Sequence, residues 1–224
     1  MLISAVTEPL LAVCGQLKTT RQALVDSKPN DASNSLDSAL TEAQRLQQLV
    51  IDYGQIELFR QKLVTAETSR VSIADSVLHL NNDIALYQRF PKFKVVTRVA
   101  EDLPSTRGQA SLIEKALGNL LSYAASVSGD GEVIVTAEQD QEQWLRLSLS
   151  GSAFACAEKL TAASLNEAQQ FLQQMDLGKA SSGHSRHLVG LVMARLVFEH
   201  FGGTMDPGAE DAPGFIIRLP AAPH

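Results

Sequence analysis

A chain of 224 residues is long enough for one large domain or two small ones, and its 45% hydrophobic and 20% charged residues are those of a folded protein. A net charge of -6 argues against nucleic acid as a direct ligand. No apolar run approaches the roughly 20 residues that cross a bilayer, and Met1 to Glu8 lack the basic flank and long apolar stretch of a secretory signal, so a cytoplasmic protein with no membrane partner is expected. Cys14 and Cys156 fit no metal spacing and are expected to be reduced thiols packed as small hydrophobes.

The first third reads as helical. Ile3, Val6, Leu10, Val13, Leu17 and Leu24 recur at steps that put an apolar seam on one face of a helix over residues 2–25. Asp26 to Asn34 is polar, contains Pro29, and predicts a turn. A second seam runs through Leu36, Ala39, Ala43, Leu46, Val50 and Tyr53. Two seamed helices joined by a turn make an antiparallel hairpin that cannot bury both seams alone. Pairing with a second copy as a four-helix bundle would bury them, so a homodimer is expected.

The remainder mixes helix and strand. The pattern predicts a helix from Val71 to Arg89, a strand from Phe93 to Val99, a helix from Ala110 to Val127 and a turn at Gly129-Asp-Gly131. A hairpin of strands follows, Glu132 to Glu138 and Trp144 to Ser150. Then come a helix from Leu165 to Met175, a loop from Gly178 to Gly183, an apolar helix from Leu188 to Phe201 capped by Gly202-Gly203, and a last strand from Gly214 to Leu219. A mostly antiparallel sheet with helices on one face is an α+β sandwich. The boundary is expected near Phe59 to Thr68, giving a helical hairpin over residues 1–62 and a sandwich over 63–224.

Several stretches, in this order, resemble the core of a sensor histidine kinase, in which a two-helix dimerisation and phosphotransfer domain precedes an ATP-binding α/β sandwich. Leu49-Val-Ile-Asp-Tyr-Gly-Gln-Ile-Glu57 resembles the end of that family's second helix. Leu112-Ile-Glu-Lys-Ala-Leu-Gly-Asn-Leu-Leu121 resembles the lead into its asparagine box. Gly131 to Val135 and Leu145 to Ser150 resemble the hairpin that follows, and Arg195-Leu-Val-Phe-Glu-His-Phe-Gly-Gly-Thr204 resembles the last helix and its turn. The resemblance covers nearly the whole chain.

The family's phosphoacceptor is a histidine followed by an acid, five residues before a proline. Counting back from Pro9 places Ser4 and Ala5 at those two positions, and no histidine occurs in the first 78 residues. A serine phosphoester would be a poor donor to a carboxylate. The asparagine box implies two asparagines four apart. Asn119 matches the first, but Tyr123 stands at the second, and a phenol is a poor ligand for Mg²⁺. Ser126 stands at the basic position. The family's Asp-x-Gly-x-Gly aligns with Gly151, Ala153 and Ala155, which removes the adenine acceptor and adds Cβ atoms at the glycine positions. Of the three glycines in the last box only Gly190 is kept, with Arg186 and Leu188 at the other two. His79, among apolar neighbours, is expected to be a half-buried structural residue, and His184 and His187 lack the further ligands of a metal site.

The framework is kept while the polar site departs, so the expectation is a degenerate kinase without catalysis, cofactor or metal. It would act as a homodimer that docks a response-regulator receiver domain or a genuine histidine kinase. The resemblance places the docking surface near Thr7, Glu8, Leu11 and Tyr53. Two alternatives are a histidine phosphotransferase on the same fold and a ligand or nucleotide sensor of altered specificity. A cleft lined by Phe154, Tyr123 and Leu188 is expected to have collapsed and filled with side chains.

Overall fold

The computed structural model describes residues 13–22, 24, 26, 29–62, 68–80, 91–128, 130–141, 143–154, 185–209 and 212–222, without the side chains of residues 29–31, 41, 42, 44–46, 48, 49, 53, 60, 185–188 and 212. Residues 13–22 form helix α1, and Pro29–Arg60 form the 32-residue helix α2. The turn is shorter than expected, because α2 starts at Pro29 and not at Ser35. The pyrrolidine ring already holds a helical φ, and its missing N–H is one the first turn would leave unbonded anyway. The helices touch where Gln16 Nε2 donates to Ser38 Oγ at 2.7 Å. Beside that bridge Thr20 and Ala39 are buried. Much of the expected seam is not covered within one chain. Its members Leu17, Leu24, Leu36 and Val50 are exposed, Leu24 by 60%, and so are Leu40, Ile51 and Leu58, which lie outside it. Cys14 is also exposed, contrary to the expectation of a packed thiol, because it lies on the outer side of this thin helical layer.

The sandwich begins with strand β1, Ser69–Val71, and helix α3, Ile73–Leu80. The helix expected from Val71 therefore starts two residues later. Val71 pairs with Thr106 in an antiparallel strand, and Ser72 caps the helix by accepting the Asp75 N–H on its Oγ at 3.2 Å. Strand β2 is Phe93–Val99, β3 is Thr106–Gly108, and helix α4 is Ala110–Ser128. Strands β4, Gly131–Gln139, and β5, Trp144–Ser150, form the expected hairpin. Gly131, expected in the turn, opens β4. After a single 3₁₀ turn at Ser152–Phe154 come helix α5, Ser185–His200, and strands β6, Thr204–Ala209, and β7, Ala212–Pro220. The helix expected at Leu165 to Met175 and the loop at Gly178 to Gly183 lie outside the described residues.

Two sheets result. β1 and β3 form a small antiparallel pair, and the main sheet has the order β2-β4-β5-β7-β6. β2 runs parallel to β4, and the other neighbours are antiparallel, as a mostly antiparallel sheet requires. β3 and β6 were not expected. Both carry Gly or Pro and are too short or too polar to show an alternating pattern (Thr-Arg-Gly and Thr-Met-Asp-Pro-Gly-Ala).

One core lies between the sheet and its helices. α4 buries Ile113, Ala116, Leu117, Leu120, Leu121 and Ala124, at the three-and-four spacing of one helix face. Val133, Val135, Leu145, Leu147, Leu149, Phe215, Ile217 and Leu219 meet it from alternate positions of the central strands. α5 is buried nearly all round, through Val189, Leu191, Val192, Met193, Ala194, Val197 and Phe198. It stops as its glycines predict. Gly202 takes a φ of 79° and donates its N–H to Glu199 O at 3.0 Å, and the Gly203 N–H reaches Phe198 O at 2.8 Å. This is the paired-bond helix ending in which glycine accepts the left-handed position.

The end of the hairpin belongs to this core as well. Ile56 and Phe59 of α2 are buried in it, and the Phe59 ring lies edge-on to the His200 ring at 5.3 Å. Lys115 of α4 reaches back to α2, with Nζ donating to Asp52 Oδ1 at 3.0 Å and Gln55 Oε1 at 2.8 Å.

Candidate functional site

The positions at which a histidine kinase would grip nucleotide are brought together by α4, the turn after β5 and the start of α5. Tyr123 sits on the buried side of α4, only 3% exposed. Its ring meets Phe215 of β7 at 5.7 Å and 63°, and Phe215 in turn meets Phe154 at 5.7 Å and 90°. Both are edge-to-face contacts, the arrangement aromatic quadrupoles favour. Phe154 and Phe215 are fully buried. Three rings therefore form a continuous apolar block that contains Phe154 and Tyr123, two of the three residues expected to line the cleft. The side chain of Leu188 lies outside the described ones.

The turn that delivers Phe154 is held by backbone. Phe154 N–H donates to Gly151 O at 3.0 Å, and the Glu132 N–H donates to Ser152 Oγ at 2.9 Å. Gly151 has a φ of 128°, and a Cβ there would run into the carbonyl oxygen of Glu132 on the neighbouring strand. Glycine is thus required at this position by conformation and by space. No acidic side chain can stand there without displacing β4. Ala153, the next position of the motif, is buried, and Ala155 lies outside the described residues.

Asn119 lies on α4 where α5 passes closest. A Cβ added to Gly190 would lie 3.5 Å from the Asn119 Cβ, an ordinary contact, so the retained glycine marks a close crossing of the two helices. Ser126, at the basic position, donates its hydroxyl to the Tyr123 carbonyl at 2.7 Å. Among the described residues no group of three or more His, Cys, Asp or Glu side chains could hold a metal ion.

Several sequence candidates lie outside the described residues: Ser4, Ala5, Thr7, Glu8 and Leu11 at the start, and His184 in the later segment. Tyr53 lies within α2, and Arg186 and His187 open α5, with side chains that are not described. The structure overturns one expectation. His79 is not half-buried. Its side chain is 65% exposed, and its Nδ1 lies 3.0 Å from Glu114 Oε1. The helical spacing explains the difference, since Ile73, Ser76, Val77 and Leu80 take the inward positions of α3 and leave Asp75, Leu78 and His79 facing out. Sequence reading also missed Phe215 as the ring that joins Tyr123 to Phe154. The alternation of β7 marks it as inward-facing, but only the pairing of Phe215 with Leu149 sets it between the other two.

No protein-family model matches the chain, and no curated protein does. Solved structures do. The Acinetobacter baumannii histidine kinase AdeS aligns over 96% of this chain and 96% of its own, with a TM-score of 0.66 and 17% identity. Full-length ShkA, solved in complex with AMPPNP, aligns over 100% of this chain with a TM-score of 0.65 and 17% identity, and this chain spans 46% of it. The catalytic domain of the histidine kinase ThkA aligns over 70% of this chain and 99% of its own, with a TM-score of 0.51 and 19% identity. A helical hairpin leading into a two-layer sandwich, matched in both parts, gives this chain the fold of a sensor histidine kinase core.

Proposed function

We propose that this protein is a histidine-kinase-like module of two-component signalling that has given up nucleotide chemistry and works by binding. The observation that carries this reading is the aromatic block of Tyr123, Phe215 and Phe154. The resemblance aligns Tyr123 with a Mg²⁺-binding amide and Gly151 with an adenine-binding carboxylate, and Gly151 leaves no room for a side chain. Ser4 and Ala5 in place of a histidine and its acidic neighbour support the same reading from the first helix. A fold kept without its reactive groups keeps its surfaces, and function is argued from those.

The surface that supports binding is the hairpin. Its exposed leucines lie on two helices, and a second copy would cover them as a four-helix bundle. In the dimer, the end of the hairpin near Thr7, Glu8, Leu11 and Tyr53 would receive a response-regulator receiver domain or the equivalent part of a partner kinase. Analytical ultracentrifugation tests the first step and titration with receiver domains the second. A dimer that binds a receiver supports the proposal, and a monomer that binds none refutes it. The sensor alternative receives less support from the same block of rings, because a ligand would have to displace three packed aromatic side chains.

A further inference from the structure

Outside the nucleotide positions, the described surface holds one histidine arranged as a nucleophile. His79 stands in the last turn of α3, and Glu114 faces it from α4 with Nδ1 and Oε1 3.0 Å apart. A carboxylate can only accept, so the contact fixes the tautomer: Nδ1 carries the proton and donates, and no bond to Nε2 is made among the described residues. The histidine side chain is 65% exposed, whereas Glu114 is 34% exposed and so is sheltered enough to act as a fixed orienter. Both stand on rigid supports. Ile73, Ser76, Val77 and Leu80 anchor α3 in the core, and the neighbours of Glu114 on α4 are Ile113, which is fully buried, and the partly exposed Lys115, which is tied to Asp52 and Gln55. Leu78, half exposed beside the imidazole, offers an apolar rest for whatever approaches it.

A metal site would need more ligands than this pair supplies, and among the described residues no third joins them. An oriented imidazole with a free nitrogen is instead the arrangement of nucleophilic catalysis. We infer that His79 and Glu114 form a phosphoacceptor site that takes a phosphoryl group from an acyl phosphate, with no nucleotide involved. Nε2 attacks phosphorus, the N–P bond forms as the P–O bond to the acyl oxygen breaks, and the electron pair leaves with the carboxylate. The ring proton stays on Nδ1. The positive charge that the ring gains is met by Glu114 and by the carbonyl end of α3, where a helix favours cations. The site stands whether or not the nucleotide positions bind ATP.

Acetyl phosphate is the probe. The intact chain is incubated with it, and phosphohistidine, stable in alkali and labile in acid, is mapped by mass spectrometry. The expected result is label at His79 in preference to the other surface histidine of the described residues, His200. Label at His79 is lost in His79→Gln and forms at least about tenfold more slowly in Glu114→Gln, the low end of what removing an orienting partner of a histidine costs. The glutamine keeps an acceptor for Nδ1–H but not the charge, so the fold is undisturbed and the rate reports the carboxylate. No label at His79, equal label at His200, or an unchanged rate in Glu114→Gln would each overturn the inference.

Discussion

The sandwich and the hairpin use the same apolar residues to opposite ends. In the sandwich, leucines, valines and phenylalanines are closed off by the chain itself, and Tyr123, Phe154 and Phe215 pack their rings together in that core. In the hairpin, Leu17, Leu24, Leu36, Leu40, Val50, Ile51 and Leu58 stay exposed. A layer of two helices has too little depth to bury both of its seams, whereas a five-stranded sheet packed against the described helices α3, α4 and α5 has enough. Among the described residues the first region closes its own core, and the second is the surface proposed to pair with another molecule. Among the described residues, the last turns of α2 join the two through Ile56, Phe59 and the Lys115 bridge.

Substitutions test this contrast. The largest effect is expected from Phe215→Ala, which removes the central ring of the block and should cost about 3–5 kcal/mol in chemical denaturation, as large core truncations do. Gly151→Asp comes next. Forcing a side chain onto that backbone should cost roughly 1–3 kcal/mol, and calorimetry should find no gain of nucleotide binding from the restored carboxylate. Recovery of binding with unchanged stability would contradict the assignment of Gly151 as a spatial requirement. Lys115→Met removes the tie between α2 and α4. The lysine side chain is 31% exposed and Asp52 17%, so a loss of about 1 kcal/mol is expected, near the upper end for partly exposed ion pairs. The smallest effect on the fold is expected from Leu40→Ser. At this exposed site the melting of the isolated chain should move by less than about 0.5 kcal/mol, while sedimentation should shift from dimer to monomer. A change in melting without a change in association would reverse the roles assigned to the two regions.

Much of this was legible in the sequence, and the reasons differ by element. The α4 helix, the β4–β5 hairpin and the ending of α5 at Gly202-Gly203 follow from periodicity and from the one residue type that accepts the left-handed cap. The start of α2 was misplaced because Pro29 reads equally as a turn residue and as a first helical residue. β1, β3 and β6 were missed because strands of three to six residues carry no resolvable alternation, and their existence depends on partners far along the chain, such as Arg70 with Arg107 and Thr204 with Arg218. At the site, the loss of polar groups at Tyr123, Gly151 and Ala153 could be read from residue identity. That the rings meet, that Gly151 is sterically required and that His79 faces outward against Glu114 are facts of tertiary placement, which no local pattern encodes.

Calorimetric titration with ATP and a non-hydrolysable analogue, in the presence of Mg²⁺, tests most directly the proposal that nucleotide chemistry is lost. No heat of binding at millimolar nucleotide is the predicted result. Mg²⁺-dependent binding at micromolar nucleotide would contradict it.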